Sequence, residues 1–290
     1  MRKFITTEQK QTIINLYEKG NSAYKIAKEL SIDNSSVYYQ LKKYGIKSKL
    51  PSEAGRKYSL NQNYFEKIDT EDKAYFLGLL ASDGCITDTN KILIGLQEED
   101  GYILELFKKY VDYEGVLFKI DRKNDKWKNQ IRLQMRSIKM TSDLYKLNII
   151  PRKSLILELP IIEEKMYPHF IRGYFDGDGC VKFNKGVLHL RFVGTFEFLN
   201  SIQNIFIKNC NVSEVKMYQA KKDKNTYELS YGGDKQCIRI YNYLYDNSSI
   251  FLNRKKEKIS NHITKRLELY SSPLLEEELR KRNFIPHFQS

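Results

Sequence analysis

Apolar residues in the middle of this chain switch between helical spacing and strict alternation, and the switching recurs. A helix entered at Thr70-Glu-Asp-Lys and ending before Gly84 is followed by expected strands over Cys85–Thr89 and Lys91–Gln97, with a turn at Asp88–Asn90. Ile103, Leu106 and Phe107 then mark a helix over Glu98–Val111. Strands are predicted over Gly115–Arg122 and Trp127–Arg136, and a helix over Ser137–Leu147 closes the series. In the last strand Ile131, Leu133 and Met135 alternate with Gln130, Arg132, Gln134 and Arg136, so period two gives one apolar and one polar face. The same order returns downstream. Strands are expected over Cys180–Lys185, Val187–Val193, Val212–Ala220 and Thr226–Tyr231, with helices over Phe196–Asn209 and Asp234–Tyr245.

The first fifty residues read differently, as three short helices. Thr7 starts the first, which carries Ile13, Ile14, Leu16 and Tyr17 and stops at Gly20; Ser22 starts the second, with Ile26, Ala27 and Leu30 inward. After the turn Ser31-Ile-Asp33, a third helix places Val37 and Leu41 inward and Asn34, Ser35, Ser36, Tyr38, Tyr39, Lys42 and Lys43 outward. A small Ala27, a tight turn four residues on and an apolar Val37 resemble the helix-turn-helix motif, with Ser31 where Gly is often found. The polar and basic third helix favours DNA over a protein partner. Gly45 to Asn63 reads as a basic linker through Lys47, Lys49, Arg56 and Lys57.

The most informative stretch is Phe170-Ile-Arg-Gly-Tyr-Phe-Asp-Gly-Asp-Gly-Cys-Val181, because Phe76-Leu-Gly-Leu-Leu-Ala-Ser-Asp-Gly-Cys-Ile86 echoes it 95 residues earlier. Gly78 and Ser82, like Gly173 and Gly177, are four apart and so share a helical face on which two backbones can approach closely. Phe76, Leu79 and Leu80, with Ile171, Tyr174 and Phe175, can pack into the core. Gly84 and Gly179 suit a left-handed helix end. Asp83 and Asp178 then fall in the last helical turn, facing the negative end of the dipole. If the helices pair, two carboxylates converge, which requires a compensating cation such as a hard divalent ion. The plainer alternative is a pair of turn aspartates.

These two copies resemble the signature of the LAGLIDADG homing endonucleases, with departures at Ala81 and Arg172. The resemblance covers about residues 64–260. It implies an α+β fold: tandem pseudo-twofold αββαββα repeats forming a saddle of two antiparallel sheets, beside a small all-α helix-turn-helix domain. The expected boundaries are a helix-turn-helix over 1–48, a linker over 49–63, halves over 64–160 and 161–265, and a tail over 266–290 with a helix at Leu274–Arg282. It further implies Asp83 and Asp178 as ligands of Mg²⁺ or Mn²⁺. Arg-Lys recurs after each last helix, and by resemblance Lys153 and Lys255 would position water and offset transition-state charge. Gln97 is a further candidate for ordering water, with Thr195 its approximate counterpart. The face carrying Gln130, Arg132, Gln134 and Arg136 can read bases in the major groove, Arg at guanine and Gln at adenine.

Charge agrees with a polyanionic partner: 49 Lys+Arg against 36 Asp+Glu give a net +13 over 290 residues, and residues 1–50 contribute +6 of it. The four cysteines show no paired metal spacing and are expected to be buried reduced thiols. Without a membrane span or a signal-peptide core, a cytoplasmic or organellar protein is expected. The chain ends, Met1-Arg2 and Gln289-Ser290, lack the terminal His-Asn of a self-splicing element. The resulting expectation is a monomeric, site-specific endonuclease of double-stranded DNA. Its rivals are a non-cleaving DNA-binding regulator and an intron RNA maturase.

Overall fold

Alternation of two periods along one chain produces, in the computed structural model, helices packed on two antiparallel sheets. The structure describes residues 5–19, 21, 23–46, 58–121, 128–220 and 225–269. The expectations for Gly20, Ser22, the linker at 47–57, Arg122, Trp127 and Leu274–Arg282 lie outside them. The chain divides into two compact units, Met1–Ser59 and Leu60–Ser290.

In the first unit, α1 (Thr7–Glu18), α2 (Ala23–Glu29) and α3 (Asn34–Lys43) enclose Ile13, Ala23, Ile26, Ala27, Val37 and Leu41. The cap of α1 is Thr6 rather than Thr7: its hydroxyl accepts the Gln9 amide and the Gln9 side chain returns the bond. Ser31, between α2 and α3, has φ +50, which explains why Gly is common at such a turn and shows that Ser tolerates it here. On α3, Ser35, Tyr39, Lys42 and Lys43 are exposed, whereas Ser36 is half-buried and Tyr38 packs partly on the bundle core.

The second unit opens with α4 (Glu71–Ser82), then β1 (Gly84–Ile86), β2 (Lys91–Gln97), α5 (Gly101–Tyr110), β3 (Phe118–Ile120), β4 (Gln130–Arg136) and α6 (Ile138–Lys146). The order returns as α7 (Tyr167–Asp178), β5 (Cys180–Asn184), β6 (Val187–Gly194), α8 (Phe196–Cys210), β7 (Tyr218–Gln219), β8 (Tyr227–Gly232) and α9 (Asp234–Tyr245). The fold is therefore α+β, a tandem αββαββα repeat with sheets β1-β2-β4-β3 and β5-β6-β8-β7, all pairs antiparallel. Each sheet turns one face to the shared core, with Ile92, Ile94, Leu133 and Met135 buried in one and Leu188, Leu190, Phe192 and Leu229 in the other.

Three features differ from the sequence reading. The strand expected over Val212–Ala220 pairs only at Tyr218–Gln219, because the Ser213 and Val215 amides donate to Gln236 and Gln203 on the neighbouring helices instead of a ladder. The strand expected over Gly115–Arg122 likewise pairs only at Phe118–Ile120, while Leu117 packs on the core. An unanticipated helix, α10 (Asn253–Leu269), follows α9 and buries Lys255, Ile259 and Ile263 at four-residue spacing. Among the described residues no helix is long and apolar enough to cross a membrane.

Candidate active site at the paired helix ends

Helices α4 and α7 cross where their side chains vanish. A Cβ built on Gly78 would lie 2.0 Å from the Phe170 carbonyl oxygen, and one on Gly173 would lie 2.0 Å from the Tyr75 carbonyl oxygen. Lower down, a Cβ on Gly177 would sit 2.0 Å from Ser82 Oγ and 2.8 Å from Asp83 Oδ2. The small residues thus set the approach of the two backbones, and that approach carries Asp83 next to the chain that bears Asp178. Phe76, Leu79, Leu80, Ile171, Tyr174 and Phe175 are buried around the crossing as expected.

The terminal glycines act differently from the expectation. Gly179 has φ −73 and ψ 155, and Gly84, which begins β1, is not among the positive-φ residues. Both are needed for space instead: a Cβ on Gly84 would meet the Leu80 carbonyl oxygen at 2.4 Å, and one on Gly179 the Phe175 ring at 2.1 Å. Each chain turns directly from helix to strand over its own last carbonyls. The cysteine expectation also fails at the two repeat positions. Cys85 is exposed and Cys180 half-buried, because strand alternation turns Ile86 and Val181 inward and their neighbours to the open face, while Cys210 and Cys237 are buried.

Burial and then the neighbouring Asp178 push Asp83 up to about 6, against the opposing pull of Lys255, Lys153 and Arg254. Burial likewise raises Asp178, with Lys153 and Lys255 opposing it. Both lysines are 6% exposed. Lys153, in the 3₁₀ turn after α6, donates to the Gly84 carbonyl. Lys255, in the first turn of α10, donates to the carbonyls of Phe175, Gly177 (3.1 Å) and Gly179 (2.6 Å), and burial draws it down to about 8. The two carboxylates and two lysines therefore converge at one end of the helix pair. Gln97 lies apart from this cluster at the end of β2, on the open face and three residues beyond Ile94, the partner of Gly84.

Two charged residues of the second copy, Arg172, which departs from the signature, and Asp176, which stands where the first copy has Ala81, are fully buried. Asp176 accepts from Tyr75 (2.9 Å), Tyr245 (2.7 Å) and the Leu252 amide (2.8 Å). Arg172 donates to the carbonyls of Ile250 (2.8 Å) and Leu244 (2.7 Å), to His169 (3.0 Å) and to Glu71 (2.6 Å). Glu71 in turn binds the Ser249 and Ile250 amides. This network locks residues 244–252 across both helices and so aims α10, and Lys255 with it, at the end of α7. Nothing in the local sequence signalled it except the departure at Arg172 itself.

The open sheet faces flank this site. On the first, Arg132 and Arg136 are exposed and Gln130 and Gln134 half-buried, with Arg132 opposite both Gly95 and Phe118. On the second, Lys182, His189, Arg191 and Ser230 share the open face, and Arg191 forks onto Glu228 at 2.9 and 3.0 Å. Exposed aromatics missed in the sequence, Phe118 and Tyr218, occupy the outer strands of the two sheets. Among the described residues no group of three or more His, Cys, Asp and Glu side chains gathers to hold a metal, so Asp83 and Asp178 are a two-carboxylate set.

No protein-family profile matches the chain. Elongation factor 2 of Methanopyrus kandleri is 23% identical over 302 residues, a match covering 96% of this chain and 22% of that protein's length. Among solved structures, the LAGLIDADG meganuclease I-AabMI bound to uncleaved DNA is 15% identical, with 71% of this chain and 96% of that one covered at a TM-score of 0.45. The LAGLIDADG homing endonuclease I-LtrWI bound to target DNA is 10% identical, covering 79% and 100% at 0.45. I-SmaMI on uncleaved DNA with calcium ions is 10% identical, covering 74% and 97% at 0.44.

Proposed function

We propose that this protein is a site-specific endonuclease of double-stranded DNA that hydrolyses phosphodiesters with a divalent metal. The observation that carries this reading is the convergence of Asp83 and Asp178 where glycines bring two helix ends together. The donor set fits Mg²⁺ or Mn²⁺: two hard carboxylates, Asp83 half-buried and Asp178 open to solvent, suit ions that keep several waters. When bound, the ion supplies Lewis acidity toward a phosphoryl oxygen and a more acidic water. Asp83 and Asp178 hold it and are not general bases in this account. Lys153 and Lys255 keep positive charge beside the phosphate. Water oxygen bonds to phosphorus, the bond from phosphorus to one sugar oxygen breaks, and that oxygen leaves as a hydroxyl with a proton of the water.

The open faces support a duplex partner. Arg132, Arg136, Gln130 and Gln134 offer the donors and acceptors that suit base edges, and a net +13 favours phosphate. Ser35, Tyr39, Lys42 and Lys43 on α3, with Ser36 and Tyr38 beside them, form a second DNA surface in the helix-turn-helix reading. One chain carries both halves, which suits a monomer on an asymmetric site.

The test is incubation with DNA spanning the gene's own insertion locus, with Mg²⁺ or with chelator. Cleavage is expected only with metal, and Asp83→Asn or Asp178→Asn should each slow it by about 10³-fold while retaining DNA binding. Undiminished cutting by both variants rejects the site. Tight binding with no metal-dependent cutting supports a regulator instead.

A further inference from the structure

The two open sheet faces carry opposite charge at one matched position. Gly84 and Gly179 follow equivalent helices, and the strand registers counted from them match Leu93 with Arg191, Gly95 with Val193, Arg132 with Glu228 and Phe118 with Tyr218. In the first half the row across the open face runs Gly95, Arg132, Phe118. The exposed Arg132 leans over the bare backbone of Gly95, where a Cβ would stand 3.9 Å from its Nε, and it makes no ion pair with a described residue. In the second half the row runs Val193, Glu228, Tyr218. There Arg191, two residues before Val193 on β6, holds both Glu228 carboxylate oxygens, at 2.9 and 3.0 Å. The matched residue of the first half, Leu93, offers Arg132 no charge.

These two groups ask for different bases. A guanidinium presents a fork of N–H donors, the match for O6 and N7 of guanine in the major groove. An ionised carboxylate only accepts, the match for the N4 amino group of cytosine. Its two oxygens have about four lone-pair sites, so Glu228 can bind Arg191 and still accept from a base. The flanking aromatics differ as well. Phe118, 50% exposed, presents an apolar ring beside Arg132, whereas Tyr218, 62% exposed, has the Lys216 ammonium 5.7 Å from its ring centroid. Neighbouring strands lie about 4.8 Å apart and successive base pairs about 3.4 Å. Phe118 and Arg132 therefore meet adjacent base pairs, and an apolar ring suits the methyl group of thymine.

We infer that the DNA target departs from a palindrome at this matched position: one half-site has guanine facing Arg132, with an adjacent thymine against Phe118, and the other has cytosine facing Glu228. Side chains related by a pseudo-twofold axis read the same base on symmetry-related strands only when they are alike, and these carry opposite charge. Arg191 is then a positioning residue that holds the Glu228 carboxylate. The inference rests on the endonuclease reading above for its duplex partner and deepens it by naming bases.

The experiment selects a randomised duplex library on the full chain in chelator, so that binding is read without cutting, and aligns the enriched sequences by half-site. Guanine in one half-site and cytosine at the matched position of the other should each exceed the remaining bases by at least about fivefold. Arg132→Ala should remove the guanine preference alone. The double variant Arg191→Leu/Glu228→Arg copies the first half and should exchange cytosine for guanine, making the half-sites alike at that position. Deoxyuridine in place of the thymine beside the guanine removes only a methyl group and should weaken wild-type binding about fourfold, while Phe118→Ala should bind both duplexes equally. The same base at both matched positions for the wild type overturns the inference, as does cytosine retained by a double variant whose Tm matches the wild type. A selected duplex that is bound but not cut with Mg²⁺ rejects the endonuclease reading and leaves the base assignment standing. Enrichment of no sequence overturns both.

Discussion

The first and second αββαββα halves bury the same kinds of element on the same kind of sheet, yet their polar residues serve different ends. The first half leaves Arg132 exposed with no ion pair to a described residue, where the second half places Glu228, which is held by Arg191. The first half ends its signature helix with Ala81 in an apolar setting, the second with Asp176 in a buried web of Tyr75, Tyr245 and Leu252. Shared geometry comes from the helix crossing, which admits no side chain on either partner. Segments beyond that crossing are free to diverge. The lesson is that the repeat dictates where groups sit, and local hydrogen bonding dictates whether they remain available to a ligand.

The strongest challenge to the shared frame is at the crossing. Gly78→Ala and Gly173→Ala should each destabilise by about 3 kcal/mol or more, since backbone rather than a flexible side chain blocks the new methyl. Chemical denaturation measures this, and a tolerated alanine at either position would show that the helices do not meet as described. Asp176→Ala comes next: it leaves two hydroxyls and an amide unsatisfied and should cost about 3 kcal/mol, whereas Ala81→Ser, at a site without such a web, should cost less than half of that. Similar losses for the two would erase this contrast.

Arg132→Ala should weaken DNA binding and lower the slope of log affinity against log salt by about 1, while Arg191→Ala should change the slope less because Glu228 already neutralises it. Binding titrations at several salt concentrations decide between them. The smallest effect is acid lability of the second half. Burial by itself would raise Asp234, but bonds from His262, the Leu188 amide and Arg266 hold its carboxyl below the ordinary value. A depressed carboxylate contributes stability above its unfolded pKa and loses that contribution as pH falls through the folded one. Asp234→Asn should therefore cost about 1 kcal/mol at neutral pH and progressively less below about pH 4. A difference that persists undiminished at pH 2 would contradict the ion pair.

Much of the frame was legible because it is periodic. Lys91–Gln97 and Asp234–Tyr245 run between the boundaries their apolar spacing predicts, and Ser137 caps α6 where a helix was expected to begin. The site was legible through its repetition: the paired glycines imply close backbones, and close backbones imply convergent aspartates. The roles of Gly84 and Gly179 were not, since lack of space and left-handed backbone call for the same residue. Nor was α10, whose apolar face begins with Lys255, a residue that reads as solvent-exposed until three carbonyls are seen around it.

By itself the sequence determined the duplicated order of elements, the face each strand turns to the core, and the four-residue spacing of small residues that lets two helices touch. Those depend on near neighbours along the chain and on period alone. Only the tertiary structure decided that Arg172 and Asp176 would anchor residues 244–252, and that Lys255 would meet three carbonyls where Lys153 meets one among the described residues. The number of carbonyls a buried ammonium meets is set by chain segments about 70 to 80 residues away, and no local pattern records them. At the helix ends Asp83 and Asp178 were therefore readable as a pair, while the inequality of the groups around them was not.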